Sequence, residues 1–220
     1  MNSVRLWYKK SGLAIYTSHL DMNRCFTRAV RMAGIPLWYT EGFNPHPYLT
    51  FLLPLPLGQT GLREPIDIRT VEEISGKEIK ERLNAVLPEG IEIVDVTEPL
   101  EKVHTIKDAL YEINVSFADK ESAGEFGNFA NETVSGGVLN AEKRSKKGPK
   151  TVNLCDFITS FEAQANENNV KITAVLATGT EKNLNAGLLL DTLIASSGRE
   201  CEKYDITRSE IYTENLKVFK

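Results

Sequence analysis

The spacing of apolar residues changes period several times along the chain. Residues 4–8, 48–53, 66–71 and 91–96 carry strand-like patterning, while 19–33 and 76–86 place their apolar positions at helical spacing. The first half therefore reads βαββαβ. After a connector at 97–107, the second half gives a strand at 110–117, a helix at 120–130, strand-like segments at 152–163 and 170–178, a helix at 184–195 and a strand at 204–212. The segment 152–163 also admits a helix, because Asp156 and Phe157 interrupt its alternation.

The repeated element order predicts an α+β protein built from two tandem ferredoxin-like (βαββαβ) units with antiparallel sheets, at residues 1–98 and 108–220. Residues 139–150, rich in Lys, Gly, Ser and Asn, read as a long mobile basic loop inside the second unit.

At 220 residues and 41% hydrophobic composition, the chain can bury one large core or two small ones. Its longest apolar run is too short to cross a bilayer, and its first residues read as a strand rather than a leader. A cytoplasmic location without membrane attachment is expected. Cys25, Cys155 and Cys201 are odd in number and contain no C-x-x-C pair, which supports neither a disulfide framework nor a zinc ribbon.

Charge sharpens this picture. The net charge is −4, yet residues 1–50 are locally basic by four, and Lys143, Arg144, Lys146, Lys147 and Lys150 form a second basic run. Two positive patches on an acidic body fit a polyanion bound in one place. They also fit ordinary solvated surface.

Candidate chemistry concentrates between residues 14 and 58. Ser18 and Asp21 have capping-box spacing, so a helix starts at His19, and its free N–H groups either receive a simple cap or hold an anion. Met22, Phe26, Ala29 and Ala33 share one face of that helix. Arg24, Arg28 and Arg31 occupy the opposite face, either as a solvated stripe with an Asp21 pair or as a phosphate-binding one. His19 lies toward the apolar side, as a packed residue or a catalytic one.

In Gly42-Phe43-Asn44-Pro45-His46-Pro47, the two prolines force Asn44 and His46 into extended geometry. The loop is stiff, and so suited to present Asn44 and His46 for recognition or catalysis, or simply to aim the next strand. Pro54 and Pro56 predict that the strand before them ends in a bulge or lies at an edge. Tyr16, Trp38, Tyr39, Phe43 and Tyr48 either stack on bases or fill a core. The sequence holds no P-loop, G-x-G-x-x-G, H-E-x-x-H or G-x-S-x-G motif.

Lys10 to Gly12, Tyr16-Thr17-Ser18-His19-Leu20-Asp21, Arg24, Arg28-Ala29, Arg31, Gly34-Ile35-Pro36, the Glu41 to Pro47 run and the Pro54 to Gly58 close together resemble a bacterial family of radical-SAM-linked proteins. In that family a domain of unknown function is fused to, or encoded beside, radical SAM enzymes. Met32 departs from its pattern, where a second arginine is usual. A more distant similarity is to tandem ferredoxin-like CRISPR repeat-processing ribonucleases, in which a histidine near the first helix can act in RNA cleavage.

The sequence lacks a C-x-x-x-C-x-x-C cluster motif, so the resemblance implies a partner that carries the iron–sulfur cluster and SAM, with no cofactor or metal in this chain. The favoured reading is a non-catalytic RNA-recognition module for a radical SAM partner. Ser18, His19, Arg24, Arg28, Arg31, Asn44, His46 and the basic run would then contact a structured RNA. One alternative is a metal-independent endoribonuclease in which His19 and His46 share acid and base roles. Another is a surface for docking a protein partner alone.

Overall fold

The computed structural model describes residues 2–145, 148–180 and 182–220, with the side chains of residues 143–150 outside that description. It shows a mixed α+β chain that divides into two compact units, Met1–Val103 with Lys220, and His104–Phe219.

The first unit runs β1 (Asn2–Lys10), α1 (His19–Met32), β2 (Leu49–Phe51), β3 (Thr60–Thr70), α2 (Gly76–Asn84) and β4 (Ile91–Thr97). Its strands lie in the order β4-β1-β3-β2, every pairing antiparallel. Alternation along β1 sends Leu6 and Tyr8 into a core with Phe26 of α1, Ile66 and Ile68 of β3, and Ile79 and Leu83 of α2. Tyr8, Phe26 and Phe51 meet edge to face at centroid distances of 5.3 to 5.8 Å. Burying Phe26 alone contributes about 2–3 kcal/mol.

The other side of β1 is also closed to water. Arg5, 1% exposed, donates to both carboxylate oxygens of Asp67 at 2.7 and 3.0 Å and to the carbonyls of Lys220 and Glu101. Trp7 donates its indole N–H to Thr97 Oγ1, and the Arg63 guanidinium lies 3.6 Å from its ring centroid. A guanidinium this deep is stable because its donors are met by the Asp67 charge and two carbonyls.

The second unit runs β5 (Asp108–Ser116), α3 (Lys120–Ser135), β6 (Asn140–Ser145), β7 (Gly148–Asn153), β8 (Ile158–Asn166), β9 (Asn169–Ala177), α4 (Ala186–Ser197) and β10 (Lys203–Tyr212). Its main strands lie in the order β10-β5-β9-β8, again all antiparallel. Ile113, Val115, Phe126, Ile172, Leu189 and Leu193 are fully buried.

Three expectations change. Of the loop expected at 139–150, residues 140–145 and 148–150 are strand: β6 and β7 pair as a two-stranded antiparallel sheet with Lys143 opposite Lys150, and residues 146–147 lie outside the described residues. Asn153 fixes its base, accepting from the Leu139 N–H and donating to the Gly137 carbonyl, while Leu139 and Ala141 are buried. Segment 152–163 is neither one strand nor one helix, because a 3-10 turn at Leu154–Phe157 separates β7 from β8. Strand β3 starts six residues before the expected 66–71, running through Pro65, which has no N–H to donate but whose carbonyl accepts from the Leu52 N–H.

Candidate functional site

Helix α1 and the loop that follows it hold most of the residues singled out by the sequence. Ser18 is the N-cap: it accepts from the Asp21 N–H at 3.2 Å and donates its hydroxyl to Asp21 Oδ2 at 2.7 Å. That hydroxyl, together with Arg24 at 3.2 Å, holds the Asp21 carboxyl below its ordinary range against the opposing effect of desolvation. The helix start thus carries its own negative charge, which an incoming anion would have to oppose.

His19 is exposed, with its ring edge-on to Phe51 at 5.2 Å. Arg24 is engaged by Asp21. Arg28 is exposed and makes no hydrogen bond or ion pair among the described residues; its charge partly opposes the rise that burial imposes on the Cys25 thiol. In the last turn Arg31 donates to the Tyr39 hydroxyl at 3.3 Å.

Tyr39 opens the proline loop, which is closed by its own backbone. Thr40 donates to the His46 carbonyl, Tyr48 donates to the Trp38 carbonyl, and the His46 N–H donates to Thr40 Oγ1. His46 Nδ1 lies 3.1 Å from the Asn44 carbonyl oxygen and 3.1 Å from Thr40 Oγ1. Both contacts hold the Nδ1 edge of the ring against the loop and leave the Nε2 edge on the exposed side. Gly42 takes φ +128°, and beside it Phe43 is fully exposed. At the loop base the Arg69 guanidinium lies 4.2 Å from the Tyr48 centroid and 5.7 Å from that of Trp38.

The endoribonuclease reading needs His19 and His46 to lie close together. The contacts do not join them: the loop base meets α1 at Arg31, and His19 lies twelve residues earlier, about 18 Å along the axis. Among the described residues no hydrogen bond, ion pair or ring contact links Ser18, His19 or Asp21 to residues 41–47. An acid–base pairing of His19 with His46 has no support in this arrangement. The contacts that do assemble are Arg31 with Tyr39, His46 with Asn44 and Thr40, and Arg69 over the Tyr48 and Trp38 rings, with Arg28 one turn before Arg31 on α1 and Phe43 exposed in the loop. Arg69 escaped the sequence reading, although it shares the alternate positions of β3 with Arg63 and Asp67.

Of the basic run, Lys146 and Lys147 lie outside the described residues, as do the side chains of Lys143, Arg144 and Lys150. Among the described residues no group of three or more His, Cys, Asp or Glu side chains is placed to hold a metal ion, and no helix is long and apolar enough to cross a membrane.

Residues 3–186 match the family model described as "uncharacterized protein conserved in bacteria (DUF2344)". The chain belongs to this family. The DUF2344 match spans α1, the proline loop and the β6–β7 hairpin, and so takes in every site residue named above. No curated protein matches the chain. Among solved structures it is similar to an unknown protein from Galdieria sulphuraria, at 11% identity and TM-score 0.28 over 93% of this chain and 95% of that one. Another is a candidate glycine cleavage system transcriptional repressor, at 14% identity and TM-score 0.24 over 94% and 97%. Scores this low give neither likeness any bearing on fold or function.

Proposed function

We propose that this DUF2344 chain is a non-catalytic module that recognises a structured RNA on behalf of a radical SAM partner enzyme, and that each of its units is a ferredoxin-like βαββαβ fold. The fold reading is supported by strand order. Numbering the four main strands of each unit in sequence, both sheets run 4-1-3-2 with all neighbours antiparallel. In the second unit the β6–β7 hairpin is then an insertion between the first helix and the second strand.

The RNA reading is carried by one observation: a fully exposed Phe43 at the tip of a loop closed by Thr40 and His46, raised on the Trp38, Tyr48 and Arg69 stack. An aromatic ring held in water by a stiff loop has little entropy left to lose when a base stacks on it. Arg28, with no partner among the described residues, is a ready phosphate contact. The exposed His46 ring and the Asn44 amide offer hydrogen-bonding groups to base edges. The partner assignment is supported by the motif resemblance running from Lys10 to Gly58.

The experiment is binding of fluorescently labelled bulk transfer RNA across a salt series. Affinity should fall linearly on a log–log plot, with Arg28→Ala reducing the slope by about 0.7 to 0.9. Phe43→Ala should weaken binding about tenfold or more. Salt-independent or absent binding overturns the RNA reading. Cleavage of the RNA under the same conditions overturns the non-catalytic one.

A further inference from the structure

A cavity of about 380 Å³ opens in the second unit where β5 and β8 begin and β9 ends. Asp108, Asp156 and Glu214 line it together with Lys107 and Lys182, all of them exposed except the half-buried Asp108. Phe157, Ile158 and Ala177 supply apolar wall. Among the described residues no ion pair joins these lysines to these carboxylates. Asp108 instead accepts from the Thr159 hydroxyl at 3.0 Å, and Asp156 from the Asn153 amide at 3.2 Å.

The walls are built to stay apart. The Lys107 N–H donates to the Tyr212 carbonyl, and its own carbonyl accepts from Thr178 and Gly179, pinning that backbone between two elements. Gly179 is required there, since a Cβ would stand 2.7 Å from the Ile106 carbonyl oxygen. On the far wall Asn215 and the next residue, Leu216, both hold positive φ, at 58° and 55°, and Thr213 ties the turn by donating its N–H to the Lys217 carbonyl. Two successive non-glycine residues in this region store backbone strain, of the kind that clusters at ligand-binding turns.

We propose that this cavity binds a free amino acid with an apolar side chain, its ammonium facing the carboxylates and its carboxylate facing the lysines. A simple anion would meet three acidic groups, and a simple cation two lysines. Only a ligand carrying both charges satisfies both sets, and the Phe157 and Ile158 wall selects an apolar side chain between them. The volume fits a molecule of this size with a few waters. The site is independent of the RNA surface on the first unit.

The test is thermal shift of the full chain with millimolar L-leucine, L-isoleucine, L-methionine or L-phenylalanine, each followed by calorimetry. At least one should raise the Tm saturably. Its N-acetyl and carboxamide derivatives, each lacking one charge, should bind about tenfold more weakly or worse. Asp108→Asn and Lys182→Ala should each lose a similar factor, with unchanged circular dichroism, and Arg28→Ala should lose nothing. Absence of stabilisation by all four amino acids overturns the proposal. Equal binding of the single-charge derivatives, or binding unaffected in both variants, overturns it too.

Discussion

The Arg69 guanidinium lies over the Tyr48 ring, 4.2 Å from its centroid, and Tyr48 in turn donates its N–H to the Trp38 carbonyl. One β3 side chain therefore clamps both ends of the proline loop. Arg69→Ala should remove about 1 kcal/mol of local stability, the usual worth of a partly exposed cation–π contact. That corresponds to roughly fivefold faster hydrogen exchange at the Thr40 and Tyr48 amides, the two that close the loop. Arg69→Lys should lie between, since an ammonium keeps the charge without the planar stack. Unchanged exchange in Arg69→Ala would show that the backbone bonds alone hold the loop.

At the other end of α1, the Ser18 hydroxyl is the largest influence lowering the Asp21 carboxyl, with Arg24 next. Ser18→Ala should move that carboxyl up toward its ordinary 3.8 more than Arg24→Ala does, as read by NMR titration. A depressed folded value means the interaction stabilises fully above the unfolded value and is lost as pH falls through the folded one. Losing the cap itself should cost about 1 kcal/mol in urea unfolding at neutral pH. The reverse order of the two shifts would assign the depression to Arg24.

Much of this architecture was readable because it rests on local periodicity. The α1 wheel separated Met22, Phe26 and Ala29, now buried, from the exposed Arg24, Arg28 and Arg31, and Ser18 was readable as the cap because capping needs only a hydroxyl three residues before its target. The edge position of β2, which pairs β3 among the described strands, follows from Pro54 and Pro56 lacking donors. Non-local features stayed hidden. The β6–β7 hairpin depends on Asn153 reaching back to Leu139, and no local pattern announces that. The Arg69 stack joins residues more than twenty apart. The charged residues lining the cavity of the second unit come from the start of β5 and the residue before it, the Leu154–Phe157 turn and the residues after β9 and β10, which periodicity treats separately.

Gly90 should tolerate no side chain. Its φ is +85°, and a Cβ there would lie 2.5 Å from the Ser11 carbonyl oxygen and 2.9 Å from the Ala14 Cβ. Its own carbonyl accepts from the Ser11 N–H at 2.8 Å, so the backbone cannot retreat without losing that bond. Gly90→Ala combines strain with a collision and should destabilise by about 2 kcal/mol or more in chemical denaturation. Gly137→Ala, at φ +75° but facing open space, isolates the strain alone and should cost less.

Lys10 is buried, 1% exposed, with its ammonium donating to the Thr17 carbonyl at 2.8 Å. Desolvation holds its pKa below the ordinary 10.5, and the charge of Glu64, itself buried, partly restores it. Between the depressed folded value and 10.5 the unfolded chain binds more protons than the native one, so this residue's contribution to stability rises with pH across that window. Lys10→Met would leave the Thr17 carbonyl without its donor and the Glu64 carboxylate without its nearby cation. It should cost about 1–3 kcal/mol at neutral pH, as leaving a buried hydrogen-bonding group without its partner does. The variant also lacks the titrating group, so the gap between wild type and Lys10→Met in urea unfolding should widen as pH is raised toward 10.5. A constant gap would show that the ammonium keeps its ordinary titration in the fold, and that its place beside Thr17 serves geometry rather than charge.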